Sequence, residues 1–296
     1  MATETGPPPA ASAGADLRVI GPDEILASFP HLSGRPLALA MVPTDGEGGV
    51  AIAHDAFDSE VFERMIGRII DARASSAAGF AALFAGASRA ACTAGFQQLL
   101  RRTPASDREE VWALGSSGFE LMDVGITFAR TVGDLGRPPE RPDVVVRPAT
   151  DDDVTAIADG MLHLPWGSRY ESDPTYTAEQ VRELRTRWLW NSQRGRADAV
   201  LVGAIDGTPA AFLTCVLDKD HRGGDIELVG TLPAFRGRGA ASHLLAHALS
   251  HFSARADLVT VRTQATNFSA ARVYERAGFT MHASDLTFRK NLGAAS

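Results

Sequence analysis

Arg236-Gly237-Arg238-Gly239-Ala240-Ala241 stands between a strand-like run, residues 225–232, and a segment of helical periodicity, residues 240–254. Leu244, Leu245, Ala248, Leu249 and Phe252 fall on one face of that segment, which predicts an amphipathic helix. A glycine-rich turn between strand and helix leaves several backbone N–H groups unpaired and pointing into one space. That geometry binds a phosphate or pyrophosphate without a side-chain charge. The helix has no acidic residue in its first turn, and His251 and Arg255 mark its end, so nothing opposes an anion at its N-terminus. Two other phosphate loops fit poorly. An NTPase loop ends in Gly-Lys-Ser/Thr, and no lysine stands here. A dinucleotide fingerprint, G-x-G-x-x-G, finds Gly237 and Gly239 but meets Ser242 in third place, and Gln264 where the next strand should end in an acid.

The chain around this loop is that of a globular protein. Its 296 residues have room for two domains that each bury a core. A net charge of −7 argues against nucleic-acid binding, which needs a basic patch. Cys92 and Cys215 make neither a disulfide framework nor a metal cluster, and read as thiols of a reducing cytoplasm. No apolar run is long enough to span a membrane. Residues 1–15 are rich in Ala, Pro and Gly and lack the basic and apolar regions of a signal peptide. They read as a disordered tail, and a cytoplasmic location is expected.

Residues 132–142, VGDLGRPPERP, read as an inter-domain linker, with a first domain over 16–131 and a second over 143–296. In the second, strands are expected at 144–147, 199–205, 210–217, 225–232 and 258–264. Helices are expected at 151–162, 178–193, 240–254 and 269–277. Thr150 or Asp151 is a candidate N-cap. Asp206-Gly207 predicts a hairpin, and Gly278 stops the last helix. A final strand pair is expected near 279–282 and 285–290.

A repeat runs at an offset of 160 residues: Arg102-Thr103 matches Arg262-Thr263, Gly118-Phe119 matches Gly278-Phe279, and Thr127-Phe128 matches Thr287-Phe288. These positions are structural punctuation, which suggests two halves on one strand–helix–strand plan. The halves differ where chemistry is expected. Asp107 answers Asn267, Leu114 answers Tyr274, and residues 72–79 have no counterpart of the glycine loop.

Downstream of the loop lies Asn267-Phe268-Ser269-Ala270-Ala271-Arg272-Val273-Tyr274-Glu275-Arg276-Ala277-Gly278-Phe279. Together the two segments resemble the GNAT superfamily of N-acetyltransferases. The first matches that family's R/Q-x-x-G-x-G/A pyrophosphate loop, with Pro233 ahead of it. The second matches N-x-x-A-x-x-x-Y-x-x-x-G-F at Asn267, Ala270, Tyr274, Gly278 and Phe279. The resemblance covers residues 144–290. It implies an α/β (α+β) fold with a mixed, mostly antiparallel sheet and flanking helices, preceded by a degenerate GNAT-like half. A more particular likeness is to bacterial TDP-fucosamine acetyltransferases and their actinobacterial relatives. It rests on residues 58–62, 114–119, 168–174 and 188–195. Where those relatives often have Phe-Phe-Gly, this chain has Val61-Phe62-Glu63.

The resemblance implies an acetyl-CoA-dependent enzyme acting on a small-molecule amine, an amino sugar or sugar nucleotide first among the candidates. An antibiotic, amino acid or protein amine stays open as acceptor, as does a non-catalytic acyl-CoA-binding module. Neither nucleic acid nor membrane is an expected partner, and a homodimer is left open. Arg236, Gly237, Arg238, Gly239, Ala240, Ala241 and Ser242 would hold the coenzyme A pyrophosphate, joined by Asn267 and Ala270. Thr231 and Leu232 would line the pantetheine arm where one strand parts from the next, with an oxyanion donor among the N–H groups near Leu232. Tyr274 suits the general acid, since a phenol of pKa about 10 roughly matches a thiol of about 8–9. Glu227, on the strand leading into the loop, is the candidate base. Trp166, Arg169 and Tyr170 are acceptor-side candidates, two rings to stack and one cation for a phosphate. His243 and His247 lie one helical turn apart without a third ligand, so no metal is expected.

Overall fold

The computed structural model describes residues 17–44, 48–133, 138, 140–161, 168–218 and 222–293. The expected tail and Trp166 lie outside the described residues, as do residues 134–137 and 139 of the expected linker. The chain divides into two compact units, Met1–Met122 with Leu286–Ser296, and Asp123–Asp285. The break at 132–142 therefore falls inside the second unit. A strand ends at Thr131, just before it, but that strand has already entered the unit at Asp123.

The first unit contains β1 (Leu17–Val19), α1 (Pro22–Ser28), β2 (Leu39–Pro43), β3 (Gly49–His54), α2 (Ala56–Phe62), β4 (Ile66–Arg73), α3 (Ala77–Thr93), β5 (Gln98–Pro104) and α4 (Arg108–Ser116). Strands β1 to β4 pair antiparallel in order, and β4 pairs parallel with β5. Phe80, Leu83, Phe84, Ala87 and Ala91 recur at helical spacing along α3 and pack on Val50, Ile52, Ile69 and Leu99 of the strands. Helix α2 ends on Glu63 in the left-handed region, φ 52° and ψ 40°. That is the position of the glycine in the Phe-Phe-Gly of the resembling proteins, where a residue without Cβ is favoured.

β6 (Glu120–Thr131) leads into the second unit. There follow β7 (Val145–Pro148), α5 (Asp151–Met161), α6 (Arg169–Ser172), α7 (Ala178–Asn191), β8 (Ala199–Ile205), β9 (Thr208–Leu217), β10 (Gly223–Thr231), α8 (Ala240–Ser253), β11 (Leu258–Gln264), α9 (Phe268–Arg276) and β12 (Thr280–Asn291). The sheet is mixed and mostly antiparallel, as expected. β7, β8, β9 and β10 pair antiparallel in turn, β10 pairs parallel with β11, and β11 pairs antiparallel with β6. The β8–β9 turn carries positive φ at Asp206 and Gly207, the backbone of a tight hairpin. Side-chain alternation builds two cores. Leu201, Ala211 and Leu213 face α8 and Tyr274, whereas Val200, Val202 and Phe212 face Val154, Ile157 and Leu189 of α5 and α7. No helix among the described residues is long and apolar enough to cross a membrane.

The 160-residue repeat is a structural one. β5, α4 and β6 begin at 98, 108 and 120 and end at 104, 116 and 131. β11, α9 and β12 begin at 258, 268 and 280 and end at 264, 276 and 291. The expected closing strand pair is the single strand β12. The break expected between 282 and 285 is absent, and within the strand Arg262 donates to both carboxylate oxygens of Asp285, at 2.8 and 2.7 Å.

Candidate active site

The site grows from the place where β10 leaves β11. The two pair from Gly223/Leu258 to Ile226/Val261 and no further, while β10 continues beside β9 to Thr231/Ala211. A register shift between Ile226 and Val229 marks the parting. Leu232 donates its N–H to the carbonyl of Ala210 at 2.9 Å. Of the N–H groups near Leu232 expected to include an oxyanion donor, that of Leu232 itself is thus already used, because β9 remains its partner. In an antiparallel ladder donors alternate between sides. Gly230 and Leu232 therefore face β9, and the N–H groups of Val229 and Thr231 face the side β11 has vacated. Val229 escaped the sequence reading. The signal was parity with Pro233, which has no N–H to offer on that same side.

Beyond Leu232 the chain makes one tight turn, Pro233–Phe235, and enters the glycine loop. Gly237 and Gly239 both adopt φ 76°, a conformation that side chains with a Cβ rarely take. Gly239 is the N-cap of α8, and the first backbone bond of the helix runs from His243 N–H to its carbonyl at 3.1 Å. The donors of Gly239, Ala240, Ala241 and Ser242 are the four that a helix start leaves over. Arg236 and Arg238 are exposed beside them, the second 5.7 Å from the Phe235 ring. Unspent donors walled by Gly and Ala suit a phosphate or pyrophosphate. Arg141 also escaped the sequence reading, which left it in a linker. Its Nη1 donates to the Arg238 carbonyl at 3.3 Å and lies 2.4 Å from where a Cβ on Gly239 would be. The same guanidinium binds Asp143 and holds its carboxyl below the usual range.

The end of β11 supplies the second wall. Asn267 caps α9, accepting from Ala270 N–H at 3.2 Å, and donates to Thr263 Oγ1 at 3.0 Å. Ala270 packs half-buried against the core beneath α8. Tyr274 is only 2% exposed, its ring 5.7 Å from Phe128 and 6.1 Å from Phe279. Burial pushes its phenol pKa well above the ordinary value. The match to a thiol expected from a free phenol is therefore shifted upward.

The remaining candidates take other positions. Glu227 receives two hydrogen bonds from Arg196 Nη2, at 2.7 and 2.9 Å, so its carboxylate is engaged by a cation. Arg196 lies in the turn after α7, where Gly195 takes φ 107°. Tyr170 is 5% exposed, against Trp188 at 5.7 Å and Tyr176 at 6.1 Å, with the Arg169 guanidinium 4.2 Å from its ring centroid. Its ring is covered instead of open for stacking, because the short helix α6 turns it toward α7. His243 and His247 stand with ring centroids 4.7 Å apart, and no group of three metal-binding side chains occurs among the described residues.

Residues 159–279 match the model of the Acetyltransferase (GNAT) family. Over 118 residues the chain is 32% identical to the spore coat polysaccharide biosynthesis protein SpsD of Bacillus subtilis, covering 40% of each chain. Over 196 residues it is 29% identical to a mycothiol acetyltransferase of Streptomyces bingchenggensis, covering 62% of each. The matched part is under two thirds of the length of both relatives. Among solved structures, a tandem GNAT protein from the clavulanic acid biosynthesis pathway superposes with TM-score 0.61 at 14% identity, covering 95% of this chain and 100% of that one. At that identity the likeness is one of fold.

Proposed function

Residues 159–279 belong to the acetyltransferase (GNAT) family, and from that premise we propose that the chain is an acetyl-CoA-dependent N-acetyltransferase. Its acceptor is the primary amine of a small molecule, an amino sugar or sugar nucleotide. The observation that carries this reading is the parting of β10 from β11 beyond Ile226/Val261, directly before a loop of unspent N–H donors. The likeness to a polysaccharide biosynthesis protein supports the acceptor class, and that to a mycothiol acetyltransferase supports acetyl transfer.

Acetyl-CoA, when bound, supplies an acetyl thioester. The donors of Gly239, Ala240, Ala241 and Ser242, with Gly237, Arg236 and Arg238, hold its pyrophosphate. Thr231, Leu232, Asn267 and Ala270 border the arm. Val229 N–H donates to the carbonyl oxygen as negative charge develops there. The amine nitrogen forms its bond to the acetyl carbon, and the carbon–sulfur bond breaks. Tyr274 donates its hydrogen bond, and finally its proton, to the departing sulfur. The proton released by the amine passes to Glu227 through water, which requires that carboxylate to loosen its hold on Arg196.

Thiol release from acetyl-CoA, measured across free and nucleotide-linked amino sugars, aminoglycosides and amino acids, tests the reading. Turnover confined to sugars supports it, and inactivity toward every sugar removes the acceptor class. Glu227→Gln should lower kcat about a hundredfold, and an unchanged rate would remove the base role.

A further inference from the structure

We propose that Arg196 selects the acceptor: its guanidinium takes hold of a phosphate carried by the amine substrate, and in changing partners it releases Glu227 to act as base. The inference rests on the reading of Glu227 given above and deepens it to a substrate class, phosphorylated amines.

The backbone around Arg196 is anchored, whereas its side chain is open. Ser192 donates to the Trp188 carbonyl at 2.9 Å, and Gln193 donates to the Ala149 carbonyl at 3.1 Å. Ala197, on the other side, is buried in the core with Val154, Ile157 and Leu189. The Arg196 side chain between these anchors is 57% exposed. Both of its bonds to Glu227 leave from one nitrogen, Nη2. Nε and Nη1 make no hydrogen bond among the described residues.

The carboxylate thus sits at a corner of the guanidinium and leaves most of its donors unused. A phosphate brings three acceptor oxygens and a charge of about −1.5 to −2. It pairs with two guanidinium nitrogens at once. An ion pair as exposed as Arg196–Glu227 contributes little, so parting it costs little. The exchange changes no covalent bond. The guanidinium trades one anion for another, and the lone pairs of Glu227 are left to accept, through water, the proton that the amine releases.

The pair also stands in the right place. Glu227 follows Ile226, the last residue of β10 that pairs with β11, so it lies at the mouth of the gap. Helix α8 and Tyr274 fill one face of the sheet there. Arg196 comes from the turn after α7, on the other face, where an acceptor finds guanidinium and carboxylate side by side. Arg194 is exposed in the same turn, its guanidinium 5.1 Å from the Trp190 ring. Two cations therefore share this turn in a chain of net charge −7.

The test uses three amines: glucosamine, glucosamine 6-phosphate and uridine diphosphate glucosamine. Their binding to the full chain is measured by calorimetry in the presence of coenzyme A, and their turnover by thiol release from acetyl-CoA. The wild-type chain should bind at least one phosphorylated amine about tenfold more tightly than glucosamine, and by a smaller margin at high salt. Whichever of the two gains names the source of the phosphate. Arg196→Gln should erase that preference and also raise kcat on glucosamine, since nothing then holds Glu227. A purely structural residue would lower both. Arg222→Gln removes an exposed guanidinium paired with Asp257 and should keep the preference.

Equal affinities for the three amines, no binding of any, or a preference that survives Arg196→Gln overturns the phosphate subsite. A kcat on glucosamine that fails to rise in Arg196→Gln overturns the release of Glu227. An unchanged rate in Glu227→Gln removes instead the base reading, and binding without thiol release removes acetyl transfer. In both cases the calorimetry still decides the subsite. The Arg196 side chain is exposed, so an unchanged melting temperature verifies that the variant is folded.

Discussion

Arg101 Nε donates to Glu110 Oε1 at 2.6 Å inside the first unit, at positions that 160 residues later are Val261 and Ala270. A second bond from Arg101 reaches Glu110 Oε2 at 3.1 Å, and a third reaches the Ile69 carbonyl at 3.3 Å. β4 and β5 pair as far as Ile69/Arg101 and then part, as β10 and β11 do at Ile226/Val261. Where the second unit has small apolar side chains beside its parted strands, the first has a buried ion pair.

Glu110→Ala should therefore destabilise the first unit by about 3–5 kcal/mol, the cost of leaving a buried guanidinium unpaired. Chemical denaturation measures it. In the intact chain, titration should give one acetyl-CoA bound per polypeptide. Two would show that the first half also holds the cofactor.

Tyr274→Phe should bind acetyl-CoA with unchanged affinity and turn over about 10²–10³-fold more slowly. Burial raises this phenol's pKa, so it stays protonated beyond pH about 10. Rate loss from its ionisation belongs above that pH. A basic limb near pH 8 that persists in the Phe variant would belong to another group.

Gly239→Ala should raise the dissociation constant for acetyl-CoA at least about tenfold. The φ of 76° alone costs a side chain about 1 kcal/mol, and the new Cβ would displace Arg141 from the loop. Arg141→Gln, which keeps the glycine, should show a smaller loss in the same titration.

Asp153 gives a stability test at low pH. The Arg147 guanidinium, then Thr150, hold its carboxyl down at about 2. A depressed carboxylate stabilises the fold above its unfolded value near 3.8, and that contribution is lost as pH falls through about 2. Asp153→Asn should cost about 1 kcal/mol at pH 7, discounted for the partly exposed Arg147. The gap from wild type in urea midpoint should close between pH 4 and pH 2.

The features legible in the sequence are those that short stretches determine. The glycine loop, the Asp206-Gly207 hairpin, the cap at Asn267 and the stop at Gly278 each follow from local backbone chemistry. Long-range partners set what was not legible. Which of the N–H groups near Leu232 is engaged does not show until Ala210 is placed beside it. Glu227 reads as a lone carboxylate until the turn after α7 brings Arg196 to it. The break expected between 282 and 285 is bridged by one strand, in which Arg262 reaches Asp285. Residues 132–142 look like a domain boundary because they break a strand, though the compact unit begins at Asp123.

The last strand has a consequence for the order of assembly. Leu286–Ser296 complete the unit that begins the chain, with Phe288 in its core and Asn291 bound to Gln98 at 2.9 Å. The unit bearing Tyr274 and the glycine loop is contiguous. On a ribosome the first half to be made must wait for nearly the whole chain, with the edge of β5 uncovered and prone to pair with other nascent chains. The second half needs nothing made after Asp285 to close on itself.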